Sequence, residues 1–196
     1  MKKTTTKKTS KKSSKKSRNK PQIQNIVATA SLGVKVPLSK LAQTIADIEY
    51  NPEQFPGLVL RIKKPKSAVL VFSSGNLVCT GTKSTRQVEE VIVQVIKQLK
   101  KIGIKVKKKP KIEVQNIVAS GEVSVKINFN KLVLGLENVE YEPEQFPGLV
   151  YKIEDPAATF LLFSNGKLVC TGTKNHAQLE EAMKKLTKRV REVSRE

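Results

Sequence analysis

The chain contains no tryptophan, one histidine and two cysteines, and each shortage excludes a kind of site. His176 is the only histidine, so no Ser-His or Cys-His catalytic pair is indicated. Cys79 and Cys170 with one histidine do not make a zinc site, and two cysteines favour a reducing compartment over a disulfide framework. The segments around Gly81 and Gly172 lack the Gly-Lys-Ser/Thr pattern of a nucleotide-binding loop. We therefore expect no enzyme, no metal site and no cofactor.

Acidic residues and long apolar runs are also scarce. The chain has 37 Lys and Arg against 17 Asp and Glu, a formal net charge of +20. Such a positive field favours polyanions: nucleic acid, anionic membrane surfaces or acidic proteins. No apolar run reaches the length of a transmembrane span, and no apolar segment follows the basic N-terminus as in a secretory signal. We therefore expect no membrane partner.

Residues 1–21 form a Lys-rich segment. Ten basic side chains and no acid lie in the first 20 residues, so the remaining chain still has ten more basic than acidic residues. Without apolar side chains this segment cannot bury surface, which predicts a disordered tail. Its like charges extend it and draw it to phosphates, although a solubilising tail without specific contacts is an equal alternative.

The rest of the sequence is an internal repeat. A shift of 91 residues aligns QNIVAT (24–29) with QNIVAS (115–120), and FSSGNLVCTGTK (72–83) with FSNGKLVCTGTK (163–174). No gap is needed from residue 24 to residue 97. We interpret this as a duplicated domain, with units at 22–109 and 110–196 arranged as a pseudo-two-fold pair.

Each unit has the pattern of an α+β fold. A β-rich strand is followed by a short helix behind Pro37, then by strands joined through tight turns, then by a long helix. Ser84 and Gln87 form a capping box, repeated by Asn175 and a second glutamine, and an apolar stripe continues until Gly103 stops the helix. The layout places the helices on one face of an antiparallel sheet.

Strand parity leaves one sheet face without a cover. In SAVLVFSS (67–74), Val69 and Val71 point to one face and Leu70 and Phe72 to the other, so both faces are apolar. One long helix with a single stripe covers only one face, and parity places both cysteines on that core side. The pattern alone favours burial of the second face between the two units or in a homodimer; the alternative is a binding surface. Basic side chains at Arg61, Lys63, Lys83 and Lys174 border this face. They favour binding of the apolar face to the floor of a nucleic-acid groove, with the basic residues next to the two phosphate backbones.

The loops at 49–59 (EYNPEQFPGLV) and 140–150 (EYEPEQFPGLV) differ at one position, Asn51 against Glu142. Together with the QNIVAT and FSSGNLVCTGTK segments and their copies, they resemble the TATA-binding protein family in its archaeal form, over nearly all of 22–192. The resemblance implies a saddle: one curved antiparallel sheet built by both repeats, with helices on the convex face and DNA on the concave face. It also implies a monomer on DNA, with a dimer as an alternative for the free protein.

The resemblance implies a role for individual positions. The intercalating phenylalanines of the family match Phe55, Phe72, Phe146 and Phe163. Its minor-groove contacts match Asn25, Val27, Val78, Thr80, Asn116, Val118, Val169 and Thr171. Its phosphate contacts match Arg61, Lys83, Lys152, Lys167 and Lys174. Its docking surface for a TFIIB-like initiation factor matches Glu142 and Glu144, although as paired carboxylates in a Pro-rich loop these could also simply be solvated.

The function implied is that of a general transcription initiation factor. Such a factor binds the minor groove of double-stranded TATA-box DNA, bends it by phenylalanine intercalation, and recruits a TFIIB-like factor and RNA polymerase. The expected location is the cytoplasm, on an archaeal nucleoid, or the nucleus if the source is eukaryotic. Two alternatives remain open: a non-selective architectural DNA-bending protein, and a module whose apolar face binds a polypeptide.

Three features depart from the family pattern. Asn76 stands where the family often has a lysine, and TGTK replaces the commoner TGAK. The chain is basic where archaeal members are often acidic, which predicts tighter non-specific binding to DNA and a steeper salt dependence. The near-identity of the two copies predicts that the DNA-binding face alone discriminates orientation poorly, so that polarity comes from partners.

Overall fold

The computed structural model describes residues 20–195, so the predicted tail over 1–21 lies almost wholly outside the described residues. The first repeat contains β1 (Gln22–Ser31), α1 (Leu38–Thr44), β2 (Ile48–Glu49), β3 (Leu58–Ile62), β4 (Ser67–Val71), β5 (Asn76–Thr82) and α2 (Thr85–Lys101). The second repeat contains β6 (Ile112–Glu122), α3 (Phe129–Gly135), β7 (Val139–Glu140), β8 (Leu149–Glu154), β9 (Ala157–Leu162), β10 (Lys167–Thr173) and α4 (His176–Arg195).

All of these strands belong to one antiparallel sheet. Its ten strands run in the order β2-β3-β4-β5-β1-β6-β10-β9-β8-β7. The first strands of the two repeats pair at the centre, where Ile26 lies opposite Ile117. The predicted α+β class with a sheet shared by both repeats is therefore confirmed. The alternative of two units packed face to face as a sandwich is wrong, because β1 and β6 join them edge to edge.

The long helices α2 and α4 cover one face of this sheet. Val88, Val91, Val95 and Leu99 of α2 are fully buried, as the predicted stripe requires, and α4 repeats the pattern. The core lies between these helices and the strand residues of matching parity, such as Val69. We call this side the helix-covered face and the other side the open face.

The helix starts are capped as predicted, with one difference. The Ser84 Oγ accepts from the Gln87 backbone N–H at 3.2 Å, and the Asn175 Oδ1 accepts from the Gln178 N–H at 2.9 Å. The Gln87 side chain, however, accepts from the N–H of Lys83, one residue before the cap, at 2.8 Å. The long helix therefore fixes the backbone of the lysine that precedes its cap.

The end of α2 turns the chain back along the helix. Gly103 adopts a φ of 86°, and the Ile104 N–H donates to the Leu99 carbonyl at 3.0 Å, which closes the last turn. Ile104 and Val106 then pack against the core as partly buried residues. The segment from 104 to 111 is therefore packed against the core next to α2, and it leads into β6 at Ile112.

The two-residue edge strands β2 and β7 are the elements that sequence patterns do not predict. A strand this short has no periodicity to detect, and its identity comes only from its pairing with β3 or β8. Short strands leave little unpaired backbone at a sheet edge, which protects the edge from adding further strands.

Candidate nucleic-acid interface

The open face is apolar along its length and has no cover within residues 20–195. Val27 of β1, Leu70 of β4 and Val78 of β5 lie on it as half-buried residues, whereas their sequence neighbours Ile26 and Leu77 are buried under the helices. Val118 and Val169 of the second repeat occupy the equivalent positions and are also half-buried. The structure thus brings the four predicted valine contacts onto one surface.

The four predicted wedge residues form two pairs, one in each repeat. The rings of Phe55 and Phe72 pack edge to face with centroids 5.9 Å apart, and those of Phe146 and Phe163 repeat this at 5.9 Å. Phe55 is 38% exposed and Phe146 is 36% exposed, so each pair presents one ring to solvent. Within each loop the backbone makes one helical turn; the N–H of Phe146, for example, donates to the Glu142 carbonyl at 2.9 Å.

A buried glycine after each loop proline makes room for these rings. A Cβ on Gly57 would lie 2.6 Å from Phe55 Cε1 and 3.0 Å from Phe72 Cε1. A Cβ on Gly148 would lie 2.6 Å from Phe146 Cε1. The two distances of 2.6 Å are shorter than real Cβ contacts, so any other residue would push the rings of the pair apart. Sequence reasoning missed this role, although the repeated Phe-Pro-Gly was its signal.

The predicted asparagines are held in a fixed orientation. Asn25 Oδ1 accepts from the Gly81 backbone N–H at 2.7 Å, and its Nδ2 lies 3.1 Å from Thr80 Oγ1. Gly81 has a φ of 94° beside an irregularity in the β1–β5 register, a conformation that other residues rarely adopt. The second repeat has the same arrangement, formed by Asn116, Thr171 and Gly172. A backbone donor occupies each oxygen, and one amide hydrogen is donated to the threonine hydroxyl, so the second amide hydrogen is the donor that each asparagine can offer to a ligand.

Two further polar pairs cross the junction between the repeats. Gln24 Nε2 donates to Ser120 Oγ at 2.7 Å, and Gln115 Nε2 donates to Thr29 Oγ1 at 2.9 Å. These residues lie on β1 and β6 beside the asparagines. Sequence reasoning did not single them out, because only the pairing of the two central strands brings them together.

Two of the predicted phosphate contacts are paired with acids on the edge strands. Arg61 Nε lies 2.8 Å from Glu49 Oε1, and Lys152 Nζ lies 2.6 Å from Glu140 Oε1. The hydrogen bond to Arg61 lowers the pKa of Glu49 from its ordinary value, so this carboxylate stays charged at neutral pH. Lys83 is exposed, and its Nζ lies 3.5 Å from Gln24 Oε1 on the open face. Lys167 and Lys174 are exposed.

Comparison with known proteins identifies the fold and the repeats. The family model described as "Transcription factor TFIID (or TATA-binding protein, TBP)" matches residues 20–102 and again 111–193. The chain belongs to the TATA-binding protein family. This is a family of transcription factors that bind DNA, and it is not a family of enzymes.

Archaeal members of the TATA-binding protein family are similar over most of their length. The TATA-box-binding protein of Archaeoglobus fulgidus is 48% identical over 174 residues, which are 88% of this chain and 95% of that protein. The TATA-box-binding protein of Pyrococcus abyssi is 47% identical over 167 residues, which are 85% of this chain and 87% of that protein. The solved structure of the Methanococcus jannaschii TBP superposes with a TM-score of 0.83 at 42% identity, covering 88% of this chain and 98% of the other.

The two halves of this TATA-binding protein fold differ most in charge at one hairpin turn. The β3–β4 turn carries Lys63, Lys64 and Lys66, whereas the equivalent β8–β9 turn carries Glu154 and Asp155. Two of these lysines, Lys63 and Lys66, line a shallow depression together with Asn25, Arg61, Thr80 and Lys83 of the open face. Asp47 also lines it and pairs with Lys63 at 2.9 Å. The pseudo-two-fold pair is therefore electrostatically unequal, which the near-identity of the copies does not reveal.

The predicted partner loop of this family member carries exposed acids. Glu142 and Glu144 are both exposed in the Phe146 loop, and the described residues include no ion pair to either. Asn51, the counterpart of Glu142, uses its side-chain oxygen to accept from the Glu53 N–H at 3.2 Å. Asn51 therefore has a local structural role in its loop.

The cysteines of this family member are part of its core. Cys79 and Cys170 are fully buried, and burial raises the pKa of their thiols to about 11 and about 12. Both thiols thus remain protonated at neutral pH and are poor nucleophiles. Among residues 20–195 no group of His, Cys, Asp and Glu side chains could hold a metal ion. None of the helices in that range is long and apolar enough to cross a membrane.

Proposed function

We propose that the chain is a general transcription initiation factor whose open face binds the minor groove of A·T-rich TATA-box DNA. The observation that carries this proposal is the pair of oriented Asn-Thr-Gly clusters at the sheet centre, set between two exposed phenylalanine pairs. Membership of the TATA-binding protein family supports the same assignment.

Selection of A·T pairs follows from the donor pattern of the open face. The minor groove of A·T pairs presents only the acceptors adenine N3 and thymine O2, whereas G·C adds the guanine amino donor. Asn25 and Asn116 offer amide donors to these acceptors, since their oxygens are held by the glycine N–H groups. Val27 and Val118 beside them leave a guanine amino group without an acceptor. A G·C pair therefore loses hydrogen bonds in this site.

Bending follows from the phenylalanine pairs. Insertion of an apolar wedge between base steps costs a few kcal/mol of unstacking and kinks the duplex, a rule for which this family is a known example. Each exposed ring, Phe55 or Phe146, is supported from behind by its partner, so it enters the stack from a fixed position. Flexible pyrimidine–purine steps such as TA lower the cost, so specificity comes partly from DNA shape.

Contacts to the phosphates supply most of the affinity. We assign these to Arg61, Lys83, Lys152, Lys167 and Lys174, with Asn76 leaving the first repeat one contact short. Lys63 and Lys66 extend the set in the first repeat, because they share the depression that contains Asn25 and Thr80. The β3–β4 turn is basic and the β8–β9 turn is acidic. Where the DNA extends further on one side of the site than on the other, this difference favours binding with the first repeat towards the longer side.

Recruitment of the transcription machinery is assigned to the second-repeat loop. Glu142 and Glu144 are exposed next to a wedge residue, which suits a basic TFIIB-like factor that then brings RNA polymerase. On this proposal the protein acts as a monomer on DNA at an archaeal nucleoid in the cytoplasm. Its two functional repeats are 22–109 and 110–196.

The wedge assignment is tested by replacing Phe146 with alanine. We expect a sharp loss of bending, measured by energy transfer between dyes at the two ends of a TATA duplex. Val93→Ala is the control, since Val93 is an exposed apolar residue of α2 on the helix-covered face. Unchanged bending by Phe146→Ala in a folded protein would remove the wedge role.

A second function is favoured by one observation, the net charge of +20. A non-selective architectural DNA-bending protein would rely on this charge and would bind A·T and G·C duplexes almost equally. The oriented amides argue for selectivity instead. Competition between the two duplexes at one salt concentration separates the two functions.

A further inference from the structure

A stretch without an acid runs from α2 into the connection to β6, on the helix-covered face. Residues 91–112 contain eight lysines and no aspartate or glutamate. Seven of these lysines form what we call the linker patch: Lys97, Lys100, Lys101, Lys105, Lys107, Lys108 and Lys109. The eighth, Lys111, is paired with Glu113 at 2.9 Å and is left out of the patch.

The linker patch is ordered by the fold. The Gly103 turn sends the chain back beside α2, and the half-buried Ile104 and Val106 alternate with the exposed Lys105 and Lys107. Lys109 Nζ lies 3.7 Å from Glu89 Oε2 in the first half of α2, which ties the returning segment to the helix. The exposed lysines of α2 and those of the returning segment therefore belong to one ordered surface.

The fold itself does not require such a patch. The equivalent helix of the second repeat mixes its charges: Lys185 pairs with Glu181 at 3.2 Å, and Arg189 pairs with Glu192 at 3.6 Å. In the linker patch, Lys109 is the one lysine with an ion pair among the described residues. Concentrated like charge destabilises a compact state unless a partner neutralises it. The patch therefore needs an explanation other than packing.

Its chemistry favours a duplex backbone over other polyanions. Protein partners bind through buried aromatic or aliphatic anchors, and the single exposed large apolar residue of α2 is Val93. Single-stranded nucleic acid binds where bases can stack on aromatic rings, and residues 91–112 contain none. Rows of lysines suit duplex phosphates, which are bound by charge without base readout.

We propose that the linker patch is a second binding site for double-stranded DNA. It lies on the opposite side of the sheet from the open face, so both sites can be occupied at once. One molecule then holds two duplex segments, the first by its minor groove and the second by its phosphates. The inference rests on the proposed function only for the identity of the first duplex.

The test uses the full chain, first saturated with a TATA duplex carrying one dye. A G·C duplex carrying a second dye is then added, and its binding to the preformed complex is followed by energy transfer over a range of salt. The variant Lys105→Gln, Lys107→Gln, Lys108→Gln removes three charges from the patch. The control Lys184→Gln, Lys188→Gln, Arg191→Gln removes three exposed charges from α4 on the same side.

We expect the patch variant to bind the second duplex about tenfold more weakly, with a salt slope reduced by about two to three. Its affinity for the first duplex should stay within about twofold of the original chain, because the three lysines lie on the side opposite the open face. Loss of even one phosphate contact to the first duplex would lower the salt slope of its binding by about 0.9. The control should retain the second duplex. Equal losses in both variants, no second duplex on the original chain, or capture of an acidic peptide in its place would overturn the proposal. Failure to bind the first duplex selectively would instead count against the proposed function.

Discussion

At the scale of single residues, the backbone N–H groups of two glycines decide what the interface offers to DNA. Each holds an asparagine oxygen, at 2.7 Å for Gly81 and 2.8 Å for Gly172, so neither amide can rotate to present its acceptor. A free amide could accept from a guanine amino group and would read A·T and G·C alike. The bulge glycine therefore contributes to selectivity without contacting the bases.

Replacing Asn116 with aspartate tests this residue-scale account. Aspartate keeps the acceptor for the Gly172 N–H but replaces the amide donor with a charged acceptor. We expect affinity for an A·T duplex to fall about 10- to 100-fold, as for the loss of a good base contact, with a smaller fall for a G·C duplex. Asn130→Asp makes the same charge change on α3, away from the open face, and should alter neither. Equal losses for the two duplexes would contradict the role of the donor.

Glu49 is a second single residue that affects DNA binding, because its carboxylate pairs with Arg61, a predicted phosphate contact. Its pKa is lowered by the hydrogen bond to Arg61, so it remains charged across the neutral range and must be displaced or shared when a phosphate approaches. We expect Glu49→Gln to strengthen DNA binding and to steepen the salt slope by up to about 0.9. Glu53→Gln is the matched control from the adjacent loop. The same gain from both variants would show only an effect of net charge.

At the scale of elements, local patterns were sufficient wherever the determining contacts are local. The Ser84 cap, the buried stripe of α2 and the Gly103 stop were all predicted from spacing and are confirmed. The edge strands β2 and β7 could not be predicted, since two residues have no period. The space that Gly57 leaves for the phenylalanine pair depends on two rings 17 residues apart in sequence, and only the paired strands bring these together.

The two hairpin turns are the elements in which the repeats differ in charge. We expect Lys63→Ala with Lys66→Ala to reduce the salt slope for a TATA duplex by about one to two, since each phosphate contact contributes about 0.9. Glu154→Lys with Ala157→Lys, the reciprocal change in the second repeat, should increase the slope. Both slopes come from affinities measured over a range of salt.

These two hairpin variants also test orientation. On a duplex with a long flank on one side of the site and a blunt end on the other, the first repeat should face the long flank. A dye on each repeat in turn reports this by energy transfer. If the original chain and both variants show the same orientation, the hairpin charges have no part in polarity.

At the scale of the whole molecule, the pairing of β1 with β6 joins the half-sites of the two repeats into one surface. Sequence parity left the apolar face either buried between the units or open, and the pattern alone favoured burial. A buried and an open apolar face are compatible with the same strand pattern. Periodicity reports which side chains share a face of a strand, but it does not report which strand edges pair. Once Ile26 and Ile117 face each other at the centre, the two amide clusters and the two wedge pairs belong to one continuous surface. The family resemblance, and not the periodicity, anticipated this result.

The central claim is that this single surface selects A·T-rich minor grooves. The most direct measurement is competition of a TATA duplex against a G·C duplex of equal length for the full chain at one physiological salt concentration. The account predicts at least about a 10³-fold preference for the TATA duplex, the lower end of the range for specific DNA-binding proteins. Near-equal affinities would contradict it and would identify a protein that binds DNA by charge alone.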